Sequence, residues 1–209
     1  MIKLYEVSKS FGELELFKDL TMNFPLGKKI LIKGVNGSGK SVLLKLLVGY
    51  SSPNFGRITI DGLELGKDFD FIPNSGVSIN APEFSKNMTG RKNLLYLADI
   101  KKIANEEKIL KLSRMLEMEK NIDKLYINYS LGMKQKLRIM QAIMDEPKYL
   151  ILDEPFDALD QKSQEKVKDM LNDYITDDKI LIFTSHNINH EEFADMTFEI
   201  NDKKLVQAK

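Results

Sequence analysis

Residues 33–47, "KGVNGSGKSVLLKLL", place three glycines and a lysine between an apolar run and a leucine-rich run. The segment fits the pattern G-x-x-x-x-G-K-[S/T] with Gly34, Gly39, Lys40 and Ser41 at the fixed positions. Glycines let backbone N–H groups turn inward around phosphate oxygens, and the following helix directs its positive end at them. The alternative is a glycine-rich turn that matches by chance, and the strand-like and helix-like flanks disfavour it. The segment therefore predicts a nucleotide-phosphate site.

The chemistry expected of this loop divides between its side chains and its backbone. Lys40 would pair with the β- and γ-phosphates of the nucleotide, and the Ser41 hydroxyl would ligate Mg²⁺. The rest of the loop and the first helical turn would contact the nucleotide as well. These further predicted contacts are Gly34, Asn36, Gly37, Ser38, Gly39 and Val42.

An acidic pair ends the apolar run in "YLILDEP", residues 149–155. Asp153 would hold the magnesium ion, directly or through water, and Glu154 would orient or deprotonate an attacking water. The alternative is a surface pair that caps the next helix. The phosphate loop upstream favours the hydrolytic interpretation, in which Lys40 and Glu154 are catalytic.

Between these two candidate sites lies "YSLGMKQKLRIMQAIM", residues 129–144. Ser130 is typical of a helix N-cap whose hydroxyl and following N–H groups face an anion. Here the chain resembles the nucleotide-binding subunit of ATP-binding cassette (ABC) transporters, in which an "LSGGQ"-like signature opens a helix before the acidic strand. The resemblance implies that Ser130 and Gly132 contact the γ-phosphate of ATP held by the opposite subunit of a dimer. The alternative is an ordinary capped helix with an apolar stripe.

Three further segments resemble family motifs in the expected order. Phe11 in "SKSFGE" matches the aromatic residue that stacks on adenine, with a core phenylalanine as the alternative. Asp160 in "FDALD" matches a residue that touches the dimer partner, with a solvated helix start as the alternative. His186 in "IFTSH" matches the histidine that contacts the γ-phosphate, with a surface histidine at a strand end as the alternative.

The chain departs from the family pattern at three positions. Leu131 and Met133 replace a glycine and the glutamine of the signature. Asn80 stands where the family has a glutamine that reaches magnesium or water, and its alternative is a polar turn residue. The "YSLGMKQ" variant resembles signatures of exporters that move peptides, antibiotics or drugs.

Strand-like and helix-like runs indicate an α/β fold. Runs such as "KKILIKG", "YLILDEP" and "KILIFTSH" are typical of strands, and residues 91–126 have helical periodicity with no proline or glycine. The resemblance implies a P-loop NTPase (RecA-like) core with a mixed sheet, an N-terminal antiparallel β subdomain and an inserted α-helical subdomain. Residues 1–209 would form one ABC ATPase domain, divided into the core plus β subdomain (1–78 and 146–209) and the Q-loop and helical signature subdomain (79–145).

Composition limits the partners and the compartment. Lys+Arg and Asp+Glu are equal at 31 each, and the absence of a basic excess disfavours nucleic acid. The chain has no cysteine, which excludes disulfides, thiolate metal sites and cysteine nucleophiles. No run approaches the roughly 18 apolar residues that span a bilayer, and the amino terminus has no signal-like core. We expect a cytoplasmic protein, peripheral to the inner face of the cell membrane.

The resemblance implies a complete function. The chain would hydrolyse ATP to ADP and phosphate with Mg²⁺, close head-to-tail as a homodimer or heterodimer, and drive separate transmembrane permease subunits of an exporter. One alternative is a soluble ABC ATPase acting on chromosomes or ribosomes. The short interval between Ser41 and Tyr129, the lack of sustained heptads and the single cassette disfavour it. The other alternative is a regulatory module that binds ATP without cleaving it.

Overall fold

The computed structural model describes residues 1–208, apart from the side chain of Ile188. The strands in chain order are β1 (Ile2–Phe11), β2 (Leu14–Phe24), β3 (Lys28–Lys33), β4 (Phe55–Ile60), β5 (Leu63–Glu64), β6 (Ser75–Ser78), β7 (Tyr149–Leu152), β8 (Ile180–Ser185), β9 (Met196–Asn201) and β10 (Lys204–Gln207). The helices are α1 (Lys40–Val48), α2 (Gly90–Lys101), α3 (Glu106–Met115), α4 (Leu131–Ile143) and α5 (Gln161–Tyr174).

A mixed sheet in the order β10-β9-β3-β8-β7-β6 forms the centre of the molecule. Its inner strands run parallel, and only β10 pairs antiparallel with its neighbour. Every residue of β7 and β8 is buried, as expected for unbroken apolar runs in a sheet covered on both faces. Leu152 pairs with Phe183 and Lys33 with Ser185, so β3, β7 and β8 end together. The segments that follow these strands therefore meet at one edge of the sheet.

The side chains of this sheet alternate between two cores. Leu150 and Leu152 of β7 pack into one core with helices α2 to α5. Tyr149 and Ile151 of the same strand pack into the other core, with α1 and the antiparallel sheet. That antiparallel sheet has the order β2-β1-β4-β5, and its strands lie within residues 2–64. Alternation along a strand thus ties both layers to the same central sheet.

The segment 91–126, predicted to be helical, contains the two helices α2 and α3. Helix α2 begins after the N-cap Thr89 and ends where Lys102 adopts a left-handed backbone conformation (φ 56°). Helix α3 starts after Asn105, whose side chain accepts a hydrogen bond from the Lys108 N–H. The break occurs without glycine or proline because a non-glycine residue takes the left-handed position. None of the helices in residues 1–208 has the length and apolar character needed to cross a bilayer.

Candidate functional site

The loop between β3 and α1 has the geometry of an anion cradle. Gly37 and Gly39 have left-handed backbones (φ 81° and 101°), which glycine adopts without strain. A Cβ atom on Gly39 would lie 2.8 Å from the ring of Phe17, and one on Gly34 would lie 2.5 Å from the Ser38 hydroxyl. Gly39 therefore requires glycine, and a side chain at Gly34 would displace the Ser38 hydroxyl.

Two features of this loop suit a phosphate group. The hydroxyl oxygen of Ser38 is buried and has no hydrogen-bond partner among the described residues. Helix α1 starts at Gly39 without a side-chain cap, so its first N–H groups remain able to donate to an anion. Asn36 is exposed in the loop, whereas the Val42 side chain is partly buried against the core. The residues present thus fit the nucleotide phosphates expected from the sequence.

The amine of Lys40 points back into the loop. The residue is 7% exposed, and its Nζ donates to the carbonyl oxygens of Gly34 at 2.9 Å and Val35 at 3.4 Å. The same Nζ lies 3.6 Å from Oε1 of Glu154. The structure therefore brings two of the predicted catalytic side chains together.

Ser41 and Asp153 meet at the edge of the sheet. Ser41 Oγ donates to Asp153 Oδ2 at 2.7 Å, and Thr184 Oγ1 donates to Asp153 Oδ1 at 2.7 Å. The Glu154 N–H in turn donates to Thr184 Oγ1 at 2.8 Å. Hydroxyl and carboxylate oxygens are ligands that Mg²⁺ prefers, so the pair predicted to hold this ion has suitable chemistry. Thr184 was not predicted; its only sequence signal is a hydroxyl residue inside the apolar run before His186.

The carboxylate of Glu154 lies between the side chains of Lys40 and His186. The Glu154 Oε2 is 3.2 Å from Nδ1 of His186, and His186 is half exposed. The backbone of Glu154 is left-handed (φ 47°). Burial raises the pKa of the Glu154 carboxyl, and the nearby Asp157 carboxylate raises it further, while Lys40 and His186 act in the opposite direction. Oxygen atoms of Glu154 and Asp157 and a ring nitrogen of His186 all lie within 4.8 Å of one another. Sequence reasoning missed Asp157.

Asn80 reaches the site through its backbone. Its N–H is 3.4 Å from Asp153 Oδ2, while the residue itself is exposed and left-handed (φ 56°). The following residue, Ala81, is also left-handed (φ 47°). No motif in the sequence predicts this backbone contact. That the Asn80 carboxamide ligates magnesium stays a prediction.

The signature residues lie in a different cleft from the phosphate loop. Ser130 caps α4, and its Oγ accepts a hydrogen bond from the Met133 N–H at 3.2 Å, as predicted for an N-cap. Gly132 at the start of this helix lines a groove of about 520 Å³ together with Ala158 and Asp160. His186 and Gly34 instead line a second cleft, of about 250 Å³. Within one chain the predicted residues therefore form two separate groups.

Two other predicted residues have visible local roles. Asp160 caps α5, and its Oδ1 accepts a hydrogen bond from the Ser163 N–H at 2.7 Å, which lowers the pKa of Asp160. This helix start was the alternative interpretation of Asp160; its contact with a dimer partner stays a prediction. Phe11 ends β1 and is 53% exposed, so it is not a core residue. The Lys9 Nζ lies 4.8 Å from the centre of its ring.

Comparisons with known proteins identify the family. The family model described as ABC transporter matches residues 17–157. The chain is 34% identical to the uncharacterized ABC transporter ATP-binding protein YybJ of Bacillus subtilis, over 98% of this chain and 94% of that protein. It is 31% identical to the lantibiotic transport ATP-binding protein SrtF of Streptococcus pyogenes, over 100% and 90% of the two chains.

The fold agrees with this identification. The dimeric structure of MJ0796, a bacterial ABC transporter cassette, matches with a TM-score of 0.85 over 98% of this chain and 96% of that one, at 24% identity. The similarity confirms the predicted P-loop NTPase fold, with its mixed sheet, antiparallel sheet and helices. The chain belongs to the ABC transporter family and is an ATP-binding ATPase of that family.

Proposed function

We propose that this ATPase is the energy-coupling subunit of a membrane exporter whose cargo is a peptide, an antibiotic or a drug. The observation that carries the proposal is the continuous set of contacts from Ser41 through Asp153 and Thr184 to Glu154 and His186. It joins a phosphate loop to a partly buried carboxylate at one edge of the sheet. The export direction is supported by the "YSLGMKQ" signature and by the named function of the lantibiotic transport relative.

The phosphate loop binds ATP with groups that already point inward. Lys40 exchanges the carbonyl oxygens of Gly34 and Val35 for phosphate oxygens, and the N–H groups at the start of α1 donate to the same anion. Ser41 and Asp153, which are in hydrogen-bond contact, would hold the Mg²⁺ ion. When bound, this ion neutralises charge that develops on the transferred phosphoryl group.

Hydrolysis depends on the Glu154 carboxylate. It orients the attacking water and accepts its proton, and its raised pKa brings it closer to the working pH of a general base. His186 is in hydrogen-bond contact with Glu154 and lines the same cleft as Gly34 of the phosphate loop. Asn80 is the third magnesium contact that we propose, reached from the loop that follows β6.

Complete sites require two chains. Because the Ser130–Gly132 group lies in a separate cleft from Gly34 and His186, these residues serve the ATP of a second cassette, arranged head to tail. Asp160, in the same cleft, touches that partner, and Phe11 stacks on the adenine. The γ-phosphate contacts both chains only in the closed dimer, so ATP shifts the population toward closure and hydrolysis reverses the shift.

The permease would dock on an apolar groove of about 580 Å³ between the loop after β6 and helix α2. Tyr50 and Tyr96 are exposed at this groove, and Phe84 and Leu97 line it. Exposed aromatic side chains around an apolar groove are typical of a protein–protein interface. A short helix of the separate transmembrane subunit is the occupant that we propose.

Capture of the ATP-bound state in the native cell tests this function. The tagged Glu154→Gln variant would be trapped with ATP, extracted gently from membranes and analysed for partners. A multi-spanning membrane protein in stoichiometric amount supports the exporter, and its gene neighbourhood and transport assay then give the cargo. Ribosomal or chromosomal partners without a membrane protein would contradict it and favour the soluble alternative. Wild-type phosphate release by this variant would remove Glu154 from the catalytic role.

A further inference from the structure

Arg138, on α4, connects the loop at Pro82 to the backbone of Glu154 through Gln135. Its Nε donates to the carbonyl oxygen of Pro82 at 3.0 Å, and its Nη1 donates to Oε1 of Gln135 at 3.3 Å. The Gln135 Nε2 donates to the backbone carbonyl oxygen of Glu154 at 3.1 Å. Three hydrogen bonds thus lead from the loop at Pro82 to the peptide unit of Glu154.

The geometry of this connection allows a movement of the Pro82 loop to reach Glu154 through Arg138 and Gln135. Gln135 is buried and three residues from Arg138, so the two side chains lie on the same face of α4. A guanidinium presents several N–H groups in a fixed planar fork, which lets Arg138 serve two acceptors at once. A displacement of Pro82 therefore acts on both hydrogen bonds of the arginine.

The segments at both ends hold strained backbone. Glu154 at one end is left-handed, and Asn80 and Ala81 next to Pro82 are left-handed as well. Non-glycine residues keep such conformations only where surrounding contacts impose them. The Asn80 N–H also donates to Asp153, so the loop is linked to both members of the acidic pair. Strand β6, which leads into this loop, also pairs with β7, and the Asp153 N–H donates to the Ser78 carbonyl oxygen at 2.7 Å.

The same loop forms one wall of the apolar groove. Pro82, Glu83, Phe84 and Ser85 all line it. The Ser85 N–H donates to Asn93 Oδ1 of helix α2 at 2.9 Å, which anchors the far end of the loop. A molecule seated in the groove would press on the segment between this anchor and Asn80. Pro82 lies in that segment, and its carbonyl is the acceptor of Arg138.

We propose that Arg138 and Gln135 are positioning residues that fix the backbone of Glu154 according to the position of the Pro82 loop. They make the hydrolytic carboxylate responsive to the groove occupant while touching neither the nucleotide nor the water. The inference rests on the proposed catalytic role of Glu154 and the proposed docking groove.

Kinetics of the purified full chain test the connection. Arg138→Leu and Gln135→Met should each lower kcat for phosphate release by about fivefold to tenfold and leave the KM for ATP within about twofold. The double variant should be no worse than either single variant, because both changes interrupt one series of contacts. Arg138→Lys, which keeps the charge and N–H donors but lacks the planar fork, should restore part of kcat. Arg114→Leu, an exposed arginine on α3, is the charge-matched control.

Amide hydrogen exchange gives a readout that does not depend on turnover. The Glu154 N–H, which donates to Thr184, should exchange at least about threefold faster in Arg138→Leu than in Arg114→Leu. Additive kinetic losses, a change in KM alone, or unaltered exchange at Glu154 would overturn the proposal. If Glu154→Gln keeps wild-type turnover, the catalytic assignment fails instead, while faster exchange in Arg138→Leu would still support the mechanical connection.

Discussion

The hydroxyl of Thr184 lies 2.7 Å from Oδ1 of Asp153 while it accepts the N–H of Glu154, so one buried side chain joins both acidic residues to strand β8. Thr184 is fully buried, and neither contact can be replaced by water without rearrangement. The position of the acidic pair is therefore set across the sheet as well as along its own strand.

Thr184→Val should destabilise the protein by about 2 kcal/mol, because a buried N–H and a carboxylate each lose a partner. We expect kcat for ATP hydrolysis to fall about tenfold with it. Thr197→Val is a matched control, since Thr197 is also fully buried and its hydroxyl has no hydrogen-bond partner among the described residues. That control should change stability by less than about 0.5 kcal/mol. Equal losses in denaturant unfolding would disprove the role of Thr184.

Asp157→Asn should shift the pH dependence of kcat. Glu154 must be deprotonated to act as a base, and its pKa is raised by burial and by the Asp157 carboxylate, against the opposing effects of Lys40 and His186. Removing the Asp157 charge lowers the pKa of Glu154, so the acidic limb of the kcat profile should move to lower pH. At pH 7 kcat should stay within about twofold.

The control for this shift is Asp173→Asn, which removes an exposed carboxylate from α5. Its acidic limb should coincide with that of the wild type. A shift of the same size in both variants would attribute the effect to net charge instead of proximity. An unmoved limb in Asp157→Asn would mean that another group controls the acidic side.

His190 should make stability depend on pH. Burial lowers the pKa of His190 to about 4, and its Nδ1 and Nε2 contact Ser185 Oγ at 2.7 Å and Gln164 Oε1 at 3.3 Å. The unfolded chain binds a proton near pH 6.5 while the folded chain does not, so stability falls as pH falls through this window. Between pH 7 and pH 5 the free energy of unfolding should decrease by about 2 kcal/mol from this group.

Urea unfolding at the two pH values measures this decrease. His190→Gln should remove about that much of the difference, whereas the control His186→Gln, at an exposed histidine, should retain it. Equal pH dependence in the wild type and His190→Gln would show that carboxyl groups dominate.

Phe11→Ala should weaken ATP binding about fivefold to tenfold with little change in stability. Stacking of an aromatic ring on adenine is worth about 1 kcal/mol, and an exposed ring contributes little to the core. Phe55→Ala is the control, because Phe55 lies on the neighbouring strand β4 and is 75% exposed. Titration with a fluorescent ATP analogue would separate the two variants. Equal affinities would remove Phe11 from the adenine site.

Most of the fold could be predicted from the sequence, because the strongest sequence patterns are local. The apolar runs of β3, β7 and β8 and the glycine loop follow from residue types at short spacing. Strand β6, with the sequence "SGVS", has one large apolar residue and is a strand because β7 and α4 cover it. The end of α2 depends on a left-handed lysine, which no propensity predicts. The division of the chain at 78/79 and 145/146 stays a prediction.

The site was harder to predict wherever contacts cross the sheet. Thr184, Asp157 and Gln135 belong to the contacts of the acidic pair only because parallel register and helix packing bring distant segments together. Single residues of common types in polar or apolar runs give no signal of this. The motif residues were predictable because phosphate chemistry requires their types at fixed spacing.

The tether of Lys40 to the carbonyls of Gly34 and Val35 has a thermodynamic consequence. The curvature of the loop is maintained by the chain's own hydrogen bonds, so the conformational entropy of ordering it is lost during folding. An incoming triphosphate then substitutes one set of acceptors for another on a rigid frame. Calorimetry should accordingly find nucleotide association that is dominated by electrostatics and desolvation, with a small heat-capacity change.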